Sequence, residues 1–236
     1  MLGGLAAFAV GWRAIPAVFD RLSSGFDFEE LKSPKGFRTF AGGEVSAPIN
    51  VFAGLEAGPT PDLTAARAAV DADITSQLFY AKMDEDAVQV AYFSDFYCPI
   101  CRVISSDLIE VMGEERIEVS WHETPLFGEA SELAARAAIA AGAQGAYVAF
   151  HDLLVSRPVV VSVPYLQGLV DELGLDVVQF TADLSSDDTQ AVLNRAAALA
   201  EVFRFIGTPA MVVGRTVFQG RISKTNLRQL IAIERG

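Results

Sequence analysis

Cysteine is nearly missing from this chain: its 236 residues contain two, Cys98 and Cys101. Two thiols cannot staple a small scaffold with several disulfides, and they fall short of the four ligands of a closed structural zinc site. Histidine is as scarce. His122 and His151 are the only two, neither is spaced as a partner of the cysteines, and both read as packing residues. Basic residues are outnumbered, 18 Lys and Arg against 30 Asp and Glu, for a net charge of −12. That balance leaves no basic face for a phosphate backbone, so nucleic acid is not expected as a partner. It also disfavours electrostatic docking on anionic lipid. Internal repeats and low-complexity tracts are absent as well.

What is present is a chain with 51% hydrophobic and 20% charged residues, long enough to bury a full core. Residues 1–22 are apolar or small apart from the interruption at Arg13 and the polar end after Phe19. They fall short of the roughly 20 uninterrupted residues of a spanning helix and read as an apolar leader or membrane anchor. Residues 23–85 read as an extended arm, rich in Gly, Pro and Ser, with one or two short strands and then a helix. In that helix, Leu63, Ala66, Val70, Ile74 and Leu78 recur at helical spacing after a start at Thr60-Pro61.

Val88 to Ser94 form a nearly continuous apolar run, the pattern of a strand buried on both faces. "CPICRVISSDLIEVMG" carries apolar residues at helical spacing up to Gly113, with Pro99 in the first turn, where its missing N–H is harmless. "RIEVSW" (116–121) is a second strand, so strand, helix and strand make a right-handed parallel crossover. From Glu129 to Phe205 four successive helices are expected, the last capped by Ser185 or Ser186 with Asp187 and Asp188 at its positive end. "AMVVG" and "TVFQG" read as a hairpin turned at Gly214-Arg215, and a final helix follows.

The two cysteines stand two residues apart where the buried strand gives way to the helix. A helix N-terminus offers free N–H groups and a positive dipole end, which lower the pKa of a thiol at Cys98. Cys101, one turn on, faces the same side and is placed to attack a mixed disulfide at Cys98. The setting specifies a thiol–disulfide exchange site. Far along the chain, Thr208-Pro209 stands at the mouth of a strand, where proline is a boundary residue. In the cis form it would present the backbone of Thr208 beside the cysteines for an extended substrate, but sequence leaves cis and trans open. Asp95 is a further candidate, as a tuner of Cys101 or, more plainly, as a cap or turn former.

"FSDFYCPIC", then "GTPAMVV" after a long helical stretch, then a hairpin and helix, resembles the DsbA-like branch of the thioredoxin superfamily over roughly residues 86–235. "FHDLL" (150–154) and Pro125 in "HETPLF" are similar too. The resemblance implies an α/β thioredoxin-like fold formed by 86–125 and 206–236, with an inserted helical domain at 126–205. It further implies a cis-proline at Pro209 and dithiol–disulfide exchange with Cys98 attacking. Three departures stand out. The buried acid that many relatives carry six positions before the first cysteine is Tyr92 here. Asp95, three before Cys98, looks more like the isomerase-type relatives. Pro-Ile replaces the Pro-His of the strongest oxidants, so a thiolate-stabilising histidine is lacking.

The function expected is a thiol–disulfide oxidoreductase in the periplasm or cell envelope, acting as oxidant on cysteine-containing protein substrates and reset by a membrane redox partner. Cys98, Cys101, Pro209, Thr208 and Asp95 are its catalytic candidates. Phe96, Tyr97, Pro99 and Ile100 are its substrate-binding candidates. No metal or organic cofactor is required. A reductase or isomerase is the alternative within the same chemistry, and a Cu(I)-binding CxxC module is the alternative outside it.

Overall fold

A computed structural model describes residues 25–47, 61–81, 84–157 and 160–236. The apolar leader at 1–22 and the expected helix start at Thr60 lie outside these residues. The apolar run at 88–94 is strand β3 (Val88–Ser94), and α3 (Pro99–Glu114) carries the chain over to β4 (Ile117–Glu123), parallel to β3 with Tyr92 opposite Trp121. The expected hairpin is β5 (Ala210–Val213) and β6 (Thr216–Gln219), with β5 antiparallel to β3. The final helix, α9, is Lys224–Arg235. Two short strands of the arm, β1 (Glu29–Glu30) and β2 (Arg38–Thr39), extend the sheet to the order β1-β2-β6-β5-β3-β4, with β2 parallel to β6.

Period-two alternation explains why β3 is apolar on both faces from Val90 to Phe93. Val90 and Tyr92 point to one face, into a core with Ile104 and Leu108 of α3 and Leu227 and Leu230 of α9. Ala91 and Phe93 point to the other, into a core with Val70, Leu78, Leu199 and Phe203. Leu108 is fully buried. Leu108→Ala is expected to cost about 2–5 kcal/mol of unfolding free energy in a denaturant titration, through lost transfer energy plus a cavity.

The helix expected across 61–80 is two. α1 (Thr64–Ala72) and α2 (Ile74–Leu78) are separated by Asp73, whose extended backbone breaks the first helix while its carboxylate accepts from Ser76 N–H at 3.1 Å and caps the second. The start is also later than Pro61: Asp62 Oδ1 accepts from Thr64 N–H at 2.9 Å and turns the chain in.

Between β4 and β5 lies the helical insertion, α4 (Glu129–Ala143), α5 (Tyr147–Ser156), α6 (Val163–Leu173), α7 (Val177–Asp183) and α8 (Asp187–Phe203). Ala134, Ala137, Ala138 and Ala141 of α4 are buried against Phe150, Leu154 and Phe180, forming a third core. The short α7, capped by Asp176, escapes the periodicity. Ser186 is the cap of α8, accepting from Thr189 N–H at 3.1 Å with Asp187 and Asp188 in the first turn.

The outer side of β4 is covered by Tyr80, Ala81 and Asp84, which follow α2. Tyr80 Oη–H donates to Trp121 O, Ala81 N–H to Ser120 Oγ at 3.1 Å, and Asp84 N–H to Glu118 Oε1 at 2.8 Å. At the opposite margin β1 is two exposed glutamates long. After β2 the arm runs along the end of β6, so closely that a Cβ on Gly43 would lie 2.2 Å from Arg221 O.

Candidate active site

β3 ends at Ser94, and one turn later α3 opens with Cys98 as its N-cap and Pro99 in its first turn. Asp95 builds that turn. Its Oδ1 accepts from Tyr97 N–H at 2.7 Å, its Oδ2 accepts from Leu126 N–H and Ser131 Oγ–H at 2.5 Å each, and its carbonyl accepts from Cys98 N–H at 3.1 Å. The carboxylate, 2% exposed, thus ties the dithiol loop to the loop after β4 and to α4.

Both cysteines are free thiols and both are buried. Cys98 Sγ caps α3 by accepting from Cys101 N–H at 3.1 Å, at the positive end of the helix. The Cys101 thiol, donating to Cys98 Sγ, is the largest influence lowering the Cys98 pKa to about 6; burial opposes it, and the side chains of Ser46 and Thr208 and the Cys101 N–H add to it. Cys101 goes the other way. Burial, and then the neighbouring Cys98, push its thiol far up. One sulfur is therefore a thiolate near neutral pH and the other a thiol, the division of labour that exchange requires.

Thr208–Pro209 is a cis peptide bond and it lies at the dithiol. The Cys98 thiol points at Thr208 O at 3.5 Å. Thr208 Oγ1 is buried without a partner of ordinary geometry, yet stands near enough to both sulfurs to favour their ionised forms. A buried hydroxyl left unpaired beside a thiolate is available as its donor.

Beneath the pair runs a polar network. Tyr92 Oη–H donates to Cys101 O at 3.1 Å, Ser105 Oγ–H to Tyr92 Oη at 3.4 Å, and His151 Nε2 meets Ser105 Oγ at 3.0 Å. On its other side the His151 ring faces Tyr147 Oη at 3.3 Å and Glu123 Oε1 at 3.6 Å, while Tyr147 Oη–H donates to Glu123. His122 is apart from this network. It stacks on Phe93 with its Nε2 2.9 Å from Leu78 O, and burial holds its pKa down to about 3.

The substrate-binding candidates divide. Phe96 is buried against the His151 ring and the insertion core. Tyr97 is half-buried, its hydroxyl accepting from Val161 N–H at 2.8 Å, while Pro99 is exposed and Ile100 leans on the core of α3. Phe96, Tyr97 and Pro99 line one side of a cleft of about 230 Å³ closed by Arg102, Leu154 and Tyr165. Two participants are invisible to spacing arguments. Ile206, 72% exposed, stands two residues before Thr208. Ser46 pairs with Thr208 as an antiparallel bridge. The Tyr147/His151 spacing of four on one helix face was the available signal for the buried network; no local signal marks Ser46.

The DSBA-like thioredoxin domain family matches residues 89–232, about three-fifths of the chain. Among solved structures, the thiol-disulfide exchange protein alpha-DsbA2 from Wolbachia pipientis superposes with a TM-score of 0.63 at 20% identity, covering 75% of this chain and 99% of that one. A thioredoxin-like oxidoreductase from Silicibacter pomeroyi DSS-3 gives a TM-score of 0.61 at 29% identity, covering 68% and 96%. A curated relative, Na(+)/H(+) antiporter NhaA 1 of Salinispora arenicola, is 30% identical over 132 residues, 55% of this chain but 20% of that protein's length.

Proposed function

The chain belongs to the DsbA-like thioredoxin domain family and is a thiol–disulfide oxidoreductase with Cys98 and Cys101 as its CxxC pair, and we propose that it works as an oxidant on cysteine-containing proteins in the cell envelope. The observation that carries the direction is the opposite placement of the two sulfurs. Cys98, at the helix N-terminus, ionises near pH 6, and Cys101 is held protonated by burial beside it. Stabilising the reduced thiolate–thiol form relative to the disulfide makes the disulfide the stronger oxidant. Stabilisation is achieved without a histidine between the cysteines, by the Cys101 thiol and N–H and the side chains of Ser46 and Thr208.

In the oxidising cycle a substrate thiolate attacks Cys98 Sγ of the disulfide, and the bond to Cys101 breaks. Cys101 leaves with the electron pair and takes up one proton. A second substrate thiolate attacks the substrate sulfur of the mixed disulfide, and Cys98 departs as a thiolate. Two substrate thiols become one disulfide, two electrons reside on the protein dithiol, and one proton goes to solvent above the Cys98 pKa. Thr208 and Pro209 shape the docking edge, and Asp95 holds the loop. An envelope compartment fits because disulfides persist there, and residues 1–22 would export or tether the chain. A membrane redox partner takes the two electrons and restores the disulfide.

Equilibration with glutathione buffers tests the direction. The expected potential lies above roughly −200 mV, between a strong oxidant at about −120 mV and thioredoxin at about −270 mV. A value at or below that of thioredoxin overturns the oxidant reading and leaves a reductase or isomerase.

A further inference from the structure

A nucleophile that exchanges disulfides with proteins has to be reached by a protein, yet Cys98 is 0% exposed. Its own helix turn and Thr208 touch its sulfur, and Ser46 of the arm, paired with Thr208, helps lower its pKa. The first two belong to the folded core of the site. Ser46 belongs to a strap, residues 41–47, of which residues 41–44 are exposed and 45 and 46 half-buried.

The strap is held by backbone. Gly43 N–H donates to Gln219 O at 3.1 Å, Arg221 N–H to Glu44 O at 2.8 Å, Ser46 N–H to Thr208 O at 2.7 Å, and Thr208 N–H to Ser46 O at 2.9 Å. The last two form the doubly bonded pair of antiparallel strands. They use both backbone groups of Thr208, the pair that an extended incoming chain would need for strand addition. Glycines make room for the approach: a Cβ on Gly207 would lie 2.4 Å from Ser46 O, and one on Gly220, whose φ is +92°, 2.2 Å from Gly43 O. This pairing brings Ser46 beside Thr208, whose carbonyl lies 3.5 Å from Cys98 Sγ, and the Ser46 side chain helps hold the Cys98 pKa down. Serine has the shape of cysteine and cannot form a disulfide.

Building on the exchange activity, we propose that residues 43–47 are an internal stand-in for the protein substrate, with Ser46 in the place of the substrate cysteine, and that the strap lifts before Cys98 reacts. The surface it covers takes an extended, cysteine-bearing segment whose cysteine offers Thr208 a free N–H and C=O. Little apolar burial holds the strap, so its opening is a local event and the core stays folded.

The test places a sulfur at the position. In a Cys101→Ser background, Ser46→Cys is treated with diamide, which takes two electrons and two protons from the two thiols and becomes the hydrazine as the disulfide forms. A Cys98 link at position 46, read by intact mass and peptide mapping, is expected to form fast, with Val45→Cys and Ala47→Cys far slower. No link at 46, or equal rates at all three positions, overturns the proposal. Separately, Gly43→Ala drives a Cβ into Arg221 O and lifts the strap. At pH 8, two units above the Cys98 pKa of about 6, its alkylation by iodoacetamide is expected to rise about tenfold, as the loss of one or two exposed backbone hydrogen bonds implies. An unchanged rate in the folded variant overturns the proposal. The cross-link depends on position alone, so a wild-type chain that exchanged no disulfides would sink the activity and still report on the strap.

Discussion

Cys98→Ser is expected to remove disulfide exchange, by on the order of a thousandfold or more, as when a covalent nucleophile is deleted. Cys101→Ser has a different outcome. It keeps the thiolate and loses the group that resolves the mixed disulfide, so a covalent adduct with a cysteine-containing protein accumulates. The assignment follows from the geometry: Cys98 caps α3 and carries the lowered pKa, whereas Cys101 is one turn deeper with its thiol pushed up. Acid-quenched samples on non-reducing gels check it. If Cys98→Ser traps the adduct and Cys101→Ser does not, the roles are reversed and the mechanism given above fails.

The second large effect is on pH. With a Cys98 pKa of about 6, thiolate absorbance at 240 nm and the rate of alkylation should both rise through a midpoint near pH 6 and be flat by pH 8. Below the midpoint the rate falls tenfold per pH unit. The same ionisation links to stability. A thiol has a pKa of about 8.5 in an unfolded chain, so the folded value is depressed. The contribution is full above the unfolded pKa and is lost as pH falls through the folded one. At pH 7 it amounts to roughly 1 kcal/mol, and above pH 9 to about 3 kcal/mol. The disulfide form carries no such term. Unfolding of the reduced protein against Cys98→Ala between pH 5 and 9 should show the difference grow with pH, and a pH-independent difference would sink the ionisation argument.

Local chemistry made most of the sheet and the dithiol legible. The nearly continuous apolar run at 88–94, rich in strand formers, reads as a strand covered on both faces, and proline after the first cysteine has one comfortable place, a helix start. The break at Asp73 was hidden because Ile74 and Leu78 continue the spacing of Leu63, Ala66 and Val70, and only the carboxylate's bond to Ser76 N–H ends one helix and begins the next. The strands of the arm and the contact of Ser46 lay further out of reach. β2 pairs with β6 across 178 residues of sequence, and Ser46 with Thr208 across a similar span; both use backbone groups, which every residue offers alike. Missing histidine between the cysteines suggested a weaker thiolate. Contacts from the helix turn, the arm and the Thr208 loop supply what that residue would have supplied.

The two margins of the sheet bear on the company such an enzyme keeps. A protein that handles unfolded, cysteine-bearing chains meets sticky partners at every turnover, and an unpaired strand edge would recruit them into growing aggregates. β1 is too short and too acidic to template a neighbour, and β4 is covered by Leu78, Tyr80, Ala81 and Asp84. Under the proposed function, that leaves the Thr208 edge beside the sulfurs, once the strap has lifted, as the place for a client to pair. The covered and shortened edges then have a second consequence: they offer such clients no strand on which to coprecipitate with the enzyme.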